Sequence, residues 1–428
     1  MKTKLLIFLA MLLASSMIFP GLASDFVLDI FGNANMDSDI DKKDIAYLEG
    51  VINGTIAPTN LSDANYDGKI DSLDVDRVKE TIDGTEKELV VVDGGGNAVR
   101  IRMPVKRVIV EYMDTAELMR TLNETDIVVG VSNCMTENKK QFPDLGERAS
   151  IGKVFPGEPN YEAILALNPD LYLTFSNTGA EERAEKLPGV AILYLGMYYP
   201  DLVNLSNSTY IDGVNELGYI LNKRERAKEY IDWYTGLVNE IKSRTDTLSE
   251  DEKTRVFMAA RIQPQSIEFK MHPYVDKLSQ MCAIAGGKDI VEILPEFLHP
   301  TQYTMTLDPE WIIEQDPSFI FVHDARTPYG YDMDDPTRME QTREIFMNHT
   351  MLANVAAVKA GNVYVLNGIF RNDGSGGVIG ALYIAKLLHP DLFKDLDPQA
   401  IHQEYLTRFQ HLDYDLETHG VFVYPPLK

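Results

Sequence analysis

The sequence predicts an α/β protein: two lobes built on parallel sheets, joined by one long helix and preceded by a small all-α unit. Three observations carry that prediction. From about Leu89 onward, apolar runs of strand length alternate with helical patterns, the signature of parallel strands linked by crossover helices. The alternation is broken once, by a helical stretch from about Thr209 to Arg244 with few interruptions. Upstream, an acidic segment repeats itself in register, Asn33 answering Asp63 thirty positions on. A chain of 428 residues is long enough for two or three domains, and its 45% of hydrophobic residues supply their cores.

Residues 1–24, MKTKLLIFLAMLLASSMIFPGLAS, read as a signal peptide: two lysines, an apolar run from Leu5 to about Phe19, then the small residues Ala23 and Ser24. The alternative is an uncleaved anchor, for which the run is slightly short. No later stretch is apolar enough to span a bilayer, so the body is expected outside the cytoplasm, at the cell surface or in a periplasm-like space. A formal net charge of −25 argues against tracking nucleic acid by electrostatics. Cys134 and Cys282 are too few for a disulfide scaffold and too isolated for a thiolate metal site.

Residues 25–85 hold the repeat. In SDANYDGKIDSLD, Asp63, Asn65, Asp67, Asp71 and Asp74 stand at loop positions 1, 3, 5, 9 and 12, with Gly68 at 6. Lys69 at position 7 offers its backbone carbonyl. Hard oxygen ligands at this spacing, around a glycine that lets the chain turn, describe a calcium loop. Asn33, Asn35, Asp37, Asp39, Asp41 and Asp44 fall at the matching places of the first copy. There Asn33 replaces the leading aspartate and Ser38 the glycine, so weaker binding is expected. A helical pattern follows each loop, through Ile45, Leu48 and Ile52, then Val75, Val78 and Ile82.

The body starts as strand, Gly-rich turn and strand in ELVVVDGGGNAVRIR, then a third buried strand after Pro104. DIVVGVS, PDLYLTFS and VAILYLG continue the first lobe, residues 86–206, with YEAILALN as an intervening helix. The long helix is expected over 207–247. TRVFMAAR, PSFIFVHD and NVYVLN are the strands of the second lobe, 248–428. Two lobes joined this way place a ligand in the cleft between them.

Candidate chemistry is that of binding. The chain has no G-x-S-x-G, H-E-x-x-H or G-x-x-x-x-G-K-[ST], and is read as no enzyme. FRNDGSGGVIG lies between a strand and a helix. It reads equally as an anion-holding turn or as a tight connection. All eight histidines lie from His272 onward, which argues against a bare transition metal held by imidazoles from both lobes. Expected first-lobe contacts are Tyr112, Met113, Phe155, Tyr198 and Tyr199. Those of the second lobe are Arg261, His299, Tyr303, His323, Arg326 and Arg371. Guanidinium forks suit carboxylate or catecholate oxygens, and aromatic rings offer flat apolar area.

These segments carry two resemblances. The duplicated loop–helix unit, closed by aspartate and lacking an entering helix, resembles the dockerin module. That resemblance implies two calcium ions and a cohesin-bearing surface partner, met by Lys42–Lys43 and Ser72–Leu73. Five segments in order, VVVDGGGNAVRIRMPVKRVIV, YEAILALNPDLYLTF, CAIAGGKDIV, LDPEWIIEQDPSFIFV and GGVIGALYIAKLLHPDLF, resemble the class III substrate-binding proteins of ABC importers, of the iron-complex and cobalamin type. This resemblance spans about Leu89 to Phe409. It implies two Rossmann-like lobes, capture of a metal chelate, delivery to a permease and ATPase, and docking through Glu162 and Glu310. The alternative is a cell-surface protein, a cohesin-docked enzyme or an adhesin, using the same fold without transport.

Overall fold

The computed structural model describes residues 26–427 apart from 155–156, 199, 274–275, 299–303 and 373. The signal-peptide segment therefore lies outside the described residues.

The repeat forms two short helices, Lys42–Ile52 and Ser72–Asp83. Each opens on an aspartate, Asp41 or Asp71, in a reciprocal capping box closed by Asp44 or Asp74. Met36 and Tyr66, thirty residues apart, share a left-handed backbone (φ 57° and 54°), so the two loops have one conformation.

Strands β1 (Glu88–Val92) and β2 (Ala98–Arg102) pair as an antiparallel hairpin outside both main sheets. The helical unit is packed onto it. Ile30 bridges Val91, and Leu28, Ile30, Leu48 and Val78 join the same buried cluster as body residues.

The first lobe is a five-stranded sheet of β3 (Val108–Val110), β4 (Val128–Val131), β5 (Ala149–Ser150), β6 (Leu171–Thr174) and β7 (Ala191–Tyr194). Its order is β5-β4-β3-β6-β7, and every pairing is parallel. Val108–Val110 and Leu171–Leu173 are fully buried, as uninterrupted apolar runs covered on both faces must be.

The second lobe contains β8 (Thr254–Ala260), β9 (Phe269–Met271), β10 (Gly287–Asp289), β11 (Met305–Leu307), β12 (Phe319–Asp324), β13 (Val363–Asn367) and β14 (Val423–Tyr424). They run in the order β11-β9-β8-β12-β13-β14, with β10 beside β8. Strands β8, β12 and β13 are parallel, and β9 and β14 antiparallel to their neighbours.

The single long helix expected over 207–247 is two helices, Thr209–Ile220 and Arg224–Thr245. Asn222 sits between them in the left-handed region at φ 53°. The chain turns sharply there. A Cβ on Gly218 would lie 2.5 Å from the Ala227 methyl, whereas nine residues of straight helix span about 13 Å. The first helix folds back, and the Tyr210 hydroxyl meets that of Tyr230 at 2.7 Å. Only Arg224–Thr245 runs between lobes. Arg226 Nε donates to Thr121 O of the first lobe at 2.8 Å, and Thr245 Oγ1 to Ile284 O of the second at 2.8 Å.

Candidate ligand cleft

Three adjacent parallel strands of the first lobe end in aromatics. Tyr112 follows β3 by two residues, Phe175 follows β6 directly, and Tyr198 lies just beyond β7. Parallel order puts these ends on one edge, the carboxyl edge, where open α/β sheets hold ligands. Ring centroids are 4.1 Å apart for Tyr112–Phe175, 4.9 Å for Phe175–Tyr198 and 6.0 Å for Tyr112–Tyr198. Glu111 braces the group. One carboxylate oxygen accepts the Phe175 N–H at 2.9 Å and the other accepts Arg183 Nη2 at 2.6 Å.

The second lobe faces this trio with charge. Asp276 caps helix Lys277–Ile284, and Arg371 lies in the short helix Ile369–Asn372 after β13. Arg371 Nε donates to both Asp276 oxygens at 3.0 Å, and Nη2 to Oδ2 at 2.6 Å. Its Nη1 donates across the cleft to the Tyr198 hydroxyl, and the guanidinium carbon lies 5.3 Å from that ring's centroid. Lys277 Nζ lies 5.6 Å from the same ring. Burial alone would raise the Asp276 carboxyl, but the charge and hydrogen bonds of Arg371 outweigh it and hold the group below the usual range.

Behind the ion pair, His272 Nε2 and His323 Nδ1 are 3.3 Å apart. Burial first, then electrostatic repulsion from His272 and Arg371, depresses His323 to about 3, so it is neutral at ordinary pH. Its Nε2 is buried with no hydrogen-bond partner among the described residues. Asp114, fully enclosed on the first-lobe side, is pushed up to about 6 by burial.

A sequence model described as "Periplasmic binding protein" matches residues 108–369, more than half of the chain. The chain belongs to the periplasmic binding protein family. Solved structures with the same fold include the TroA-like periplasmic binding protein FepB from Veillonella parvula (17% identity, TM-score 0.61), with 78% of this chain and 98% of that one covered. The molybdate periplasmic binding protein MolA of Haemophilus influenzae aligns at 18% identity and TM-score 0.59, over 76% and 99%. CeuE of Helicobacter pylori with Ni(II) bound aligns at 20% and 0.56, over 77% and 98%. No curated protein matches.

In this periplasmic binding protein the structure brings Tyr112, Tyr198, His323 and Arg371 close together. Met113, the first residue of helix Met113–Thr121, is buried in the same cluster as Tyr112. Arg326 forms a fork with Asp324, Nε to Oδ1 at 2.8 Å, and its Nη2 donates to Thr342 Oγ1 at 2.6 Å, so these two nitrogens serve the second lobe internally. Arg261 is half-buried at the end of β8, its N–H donating to His323 O at 3.3 Å. Phe155, Tyr199, His299 and Tyr303 lie outside the described residues. The Gly-rich turn makes an interlobe contact: Gly374 N–H donates to Glu117 Oε2 at 3.3 Å, and a Cβ there would strike the Tyr210 ring.

Sequence reasoning missed Phe175, His272, Asp276 and Lys277. Phe175 carried a usable signal, since it ends its strand as Tyr112 nearly ends its own. Asp276 carried only the look of an ordinary helix cap.

The repeated acidic loops adopt matching geometry in both copies. Asp74 accepts the N–H groups of Asn65 (3.1 Å) and Asp71 (2.8 Å); Asp44 accepts those of Asn35 (3.1 Å) and Asp41 (2.8 Å). Asp63 accepts from Asp67 and Gly68, and Asp67 from Lys69. Asp44 and Asp74 are buried, and burial first, then the neighbouring loop carboxylates, raise both. Buried carboxylates ringed by like charge fit a cation. Among the described residues no three His, Cys, Asp or Glu side chains gather as a metal site by themselves, so the fit rests on mixed carboxylate, amide and backbone oxygens. The copies differ at position 1. The Asn33 amide donates into the interior, to Leu28 O at 2.8 Å and Asp37 O at 2.6 Å.

Glu162 and Glu310 are exposed, each in the first turn of a short helix, Tyr161–Ala166 and Pro309–Gln315. Among the described residues no helix is long and apolar enough to cross a membrane.

Proposed function

We propose that this chain is the extracytoplasmic substrate-binding protein of an ABC importer, holding an iron chelate of siderophore type, or a related metal complex, between its lobes. The observation that carries the reading is Arg371, aimed by Asp276 at an aromatic trio of the opposite lobe. A ligand oxyanion would take the place of the Tyr198 hydroxyl on Nη1, while a chelate's organic frame would lie on Tyr112, Phe175 and Tyr198. The first lobe contains no histidine, so a bare ion lacks imidazoles from both sides. Two solved structures of the same fold are titled with molybdate and Ni(II) bound, which is compatible with a metal-linked cargo without fixing which. A panel of ferric siderophores, haem and cobalamin, read by quenching of tyrosine and tryptophan emission, tests this. One tight chelate is expected; tight binding of bare metal ions with every chelate silent would overturn the cargo class.

The helical unit favours a second, separate reading as a dockerin-like attachment module holding calcium. Asp63, Asn65, Asp67, Asp71, Asp74 and the Lys69 carbonyl would supply the second site, and Asn33, Asn35, Asp37, Asp41, Asp44 and the Asp39 carbonyl a weaker first one. Lys42, Lys43, Ser72 and Leu73 all face solvent, as a surface for a cohesin-bearing partner requires. Isothermal titration against calcium, then against a cohesin module from the host, tests both steps.

A further inference from the structure

The two short helices that carry Glu162 and Glu310 match each other beyond their acids. Each is capped by a side chain, Asn160 on Ala163 N–H and Asp308 on Glu310 N–H. Two residues after each acid, an isoleucine (Ile164 or Ile312) is fully buried. Six residues after it the chain turns left-handed, at Asn168 (φ 45°) and Asp316 (φ 43°), and a proline follows. Each segment then feeds the strand beside its lobe's first parallel strand, β6 beside β3 and β12 beside β8.

Within this shared frame one position breaks the burial pattern twice. Leu165 and Ile313, each three residues past its glutamate, are 46% and 44% exposed. The core contact of each helix is already made by its isoleucine, so neither side chain is needed for packing. One exposed aliphatic on a surface is ordinary. The same kind of residue at the same place in two lobes, each beside an exposed acid on the adjacent turn, is a repeated patch. Topology sets where it lies. Each helix runs back from the carboxyl edge of its sheet, so both acids start at the edge that carries the cleft.

We propose that Leu165 and Ile313 are the apolar half of a two-point docking surface, each completing the patch begun by Glu162 or Glu310. The partner is a permease with two alike half-sites, each a basic side chain next to an apolar pocket. A partner seated there covers the mouth of the cleft. This inference rests on the importer reading above and deepens it. The acids set encounter and register, and are screened by salt; the aliphatics supply desolvated contact that salt does not weaken.

The test uses the full chain and proteoliposomes carrying the host's permease–ATPase complex, with empty liposomes of the same lipids beside them. Leu165→Ser and Ile313→Ser are each expected to weaken binding about tenfold, equally at low and high salt, with unchanged thermal stability and no binding to empty liposomes. Glu162→Arg with Glu310→Arg is expected to weaken binding mainly at low salt. If the charge reversals weaken binding while both serine variants bind as the wild type does, this inference fails and the importer reading stands. If wild type does not bind the complex, or reversal changes nothing, the reading itself fails and takes the inference with it. Binding to empty liposomes that the serine variants lose, or self-association that they abolish, would assign the patch to lipid or to a second copy and overturn the proposal.

Discussion

Arg371 holds Asp276 by a two-pronged ion pair, with Nη2 2.6 Å from Oδ2, and turns its remaining nitrogen to Tyr198 of the opposite lobe. Asp276 is buried, so the aspartate fixes the direction of the guanidinium and leaves Nη1 as the group that meets the first lobe. One residue thereby links the stability of the second lobe to closure of the cleft.

Arg371→Gln is expected to leave the Asp276 charge buried without its partner and to lower unfolding stability by about 3–5 kcal/mol. Tyr198→Phe, which removes only the cross-cleft bond, should lose about 0.5–1.5 kcal/mol. Urea denaturation compares the two. Equal midpoints for both variants would mean that the pair is solvated and does not act as the anchor. The Asp276 carboxyl, held below its usual range, adds stability present above about pH 4 and lost as pH falls below that.

His323 gives a second acid dependence in a separate window. Its folded pKa is lowered to about 3, against about 6.5 for the unfolded chain. The unfolded state therefore takes up a proton first as pH drops below 6.5, and stability is lost from there toward pH 3. Buried acids with raised pKa values, such as Asp289 at about 7, act in the opposite sense, so a single stability profile mixes the two. Comparison with His323→Asn isolates the histidine. The stability gap between wild type and variant should shrink by about 2 kcal/mol from pH 7.5 to pH 5. A gap that stays constant would place His323 in contact with solvent.

The distance between partners decides which features can be read from the sequence. Strand ends are local, so Tyr112, Tyr198 and Arg371 are legible from apolar runs and the residues just beyond them. The Arg371–Asp276 pair joins residues ninety-five positions apart, and no spacing rule links them. Arg326 also stands just past a strand, but its partner Asp324, two residues away, takes the guanidinium in a local fork. The break in the connecting helix has no proline to announce it, and Gly218, which lets the two helices approach, lies inside the apolar helical pattern. Asn222 supplies the left-handed residue, as asparagine does more readily than most. Attachment of the helical unit to the body is tertiary throughout. Ile40 N–H donates to the Tyr219 hydroxyl at 2.9 Å, and Asn215 Nδ2 to Ser38 O at 3.0 Å.

That attachment shapes the expected effect of calcium removal. Ser38 and Ile40 belong to the first acidic loop, and Asn215 and Tyr219 to helix Thr209–Ile220. Chelation is expected to lower the melting temperature and to speed amide exchange in residues 33–83 and in 209–220 together. Asp67→Ala should abolish the second site and loosen helix Ser72–Asp83. Faster exchange confined to 33–83 would mean that the unit hangs from the body without bracing it. Calorimetry with no heat at millimolar calcium would remove the ion from both loops.

On the importer reading proposed above, Glu162 and Glu310 are the docking acids, each exposed on the same turn of matched helices in the two lobes. First-turn acids also suit a helix dipole, and for either residue alone that would suffice. The dipole does not require both to be exposed at the cleft edge with the same flanking turn, whereas a two-point partner does. Reversing both charges leaves Arg371, Asp276 and the aromatic trio untouched, so chelate affinity should be unchanged. Association with a basic permease rim should slow roughly tenfold or more at low ionic strength, with the difference fading as salt rises. Uptake and ligand-stimulated ATPase turnover, measured together in proteoliposomes, should fall in step. Full ATPase stimulation by Glu162→Arg/Glu310→Arg would show that the two acids serve only their own helices.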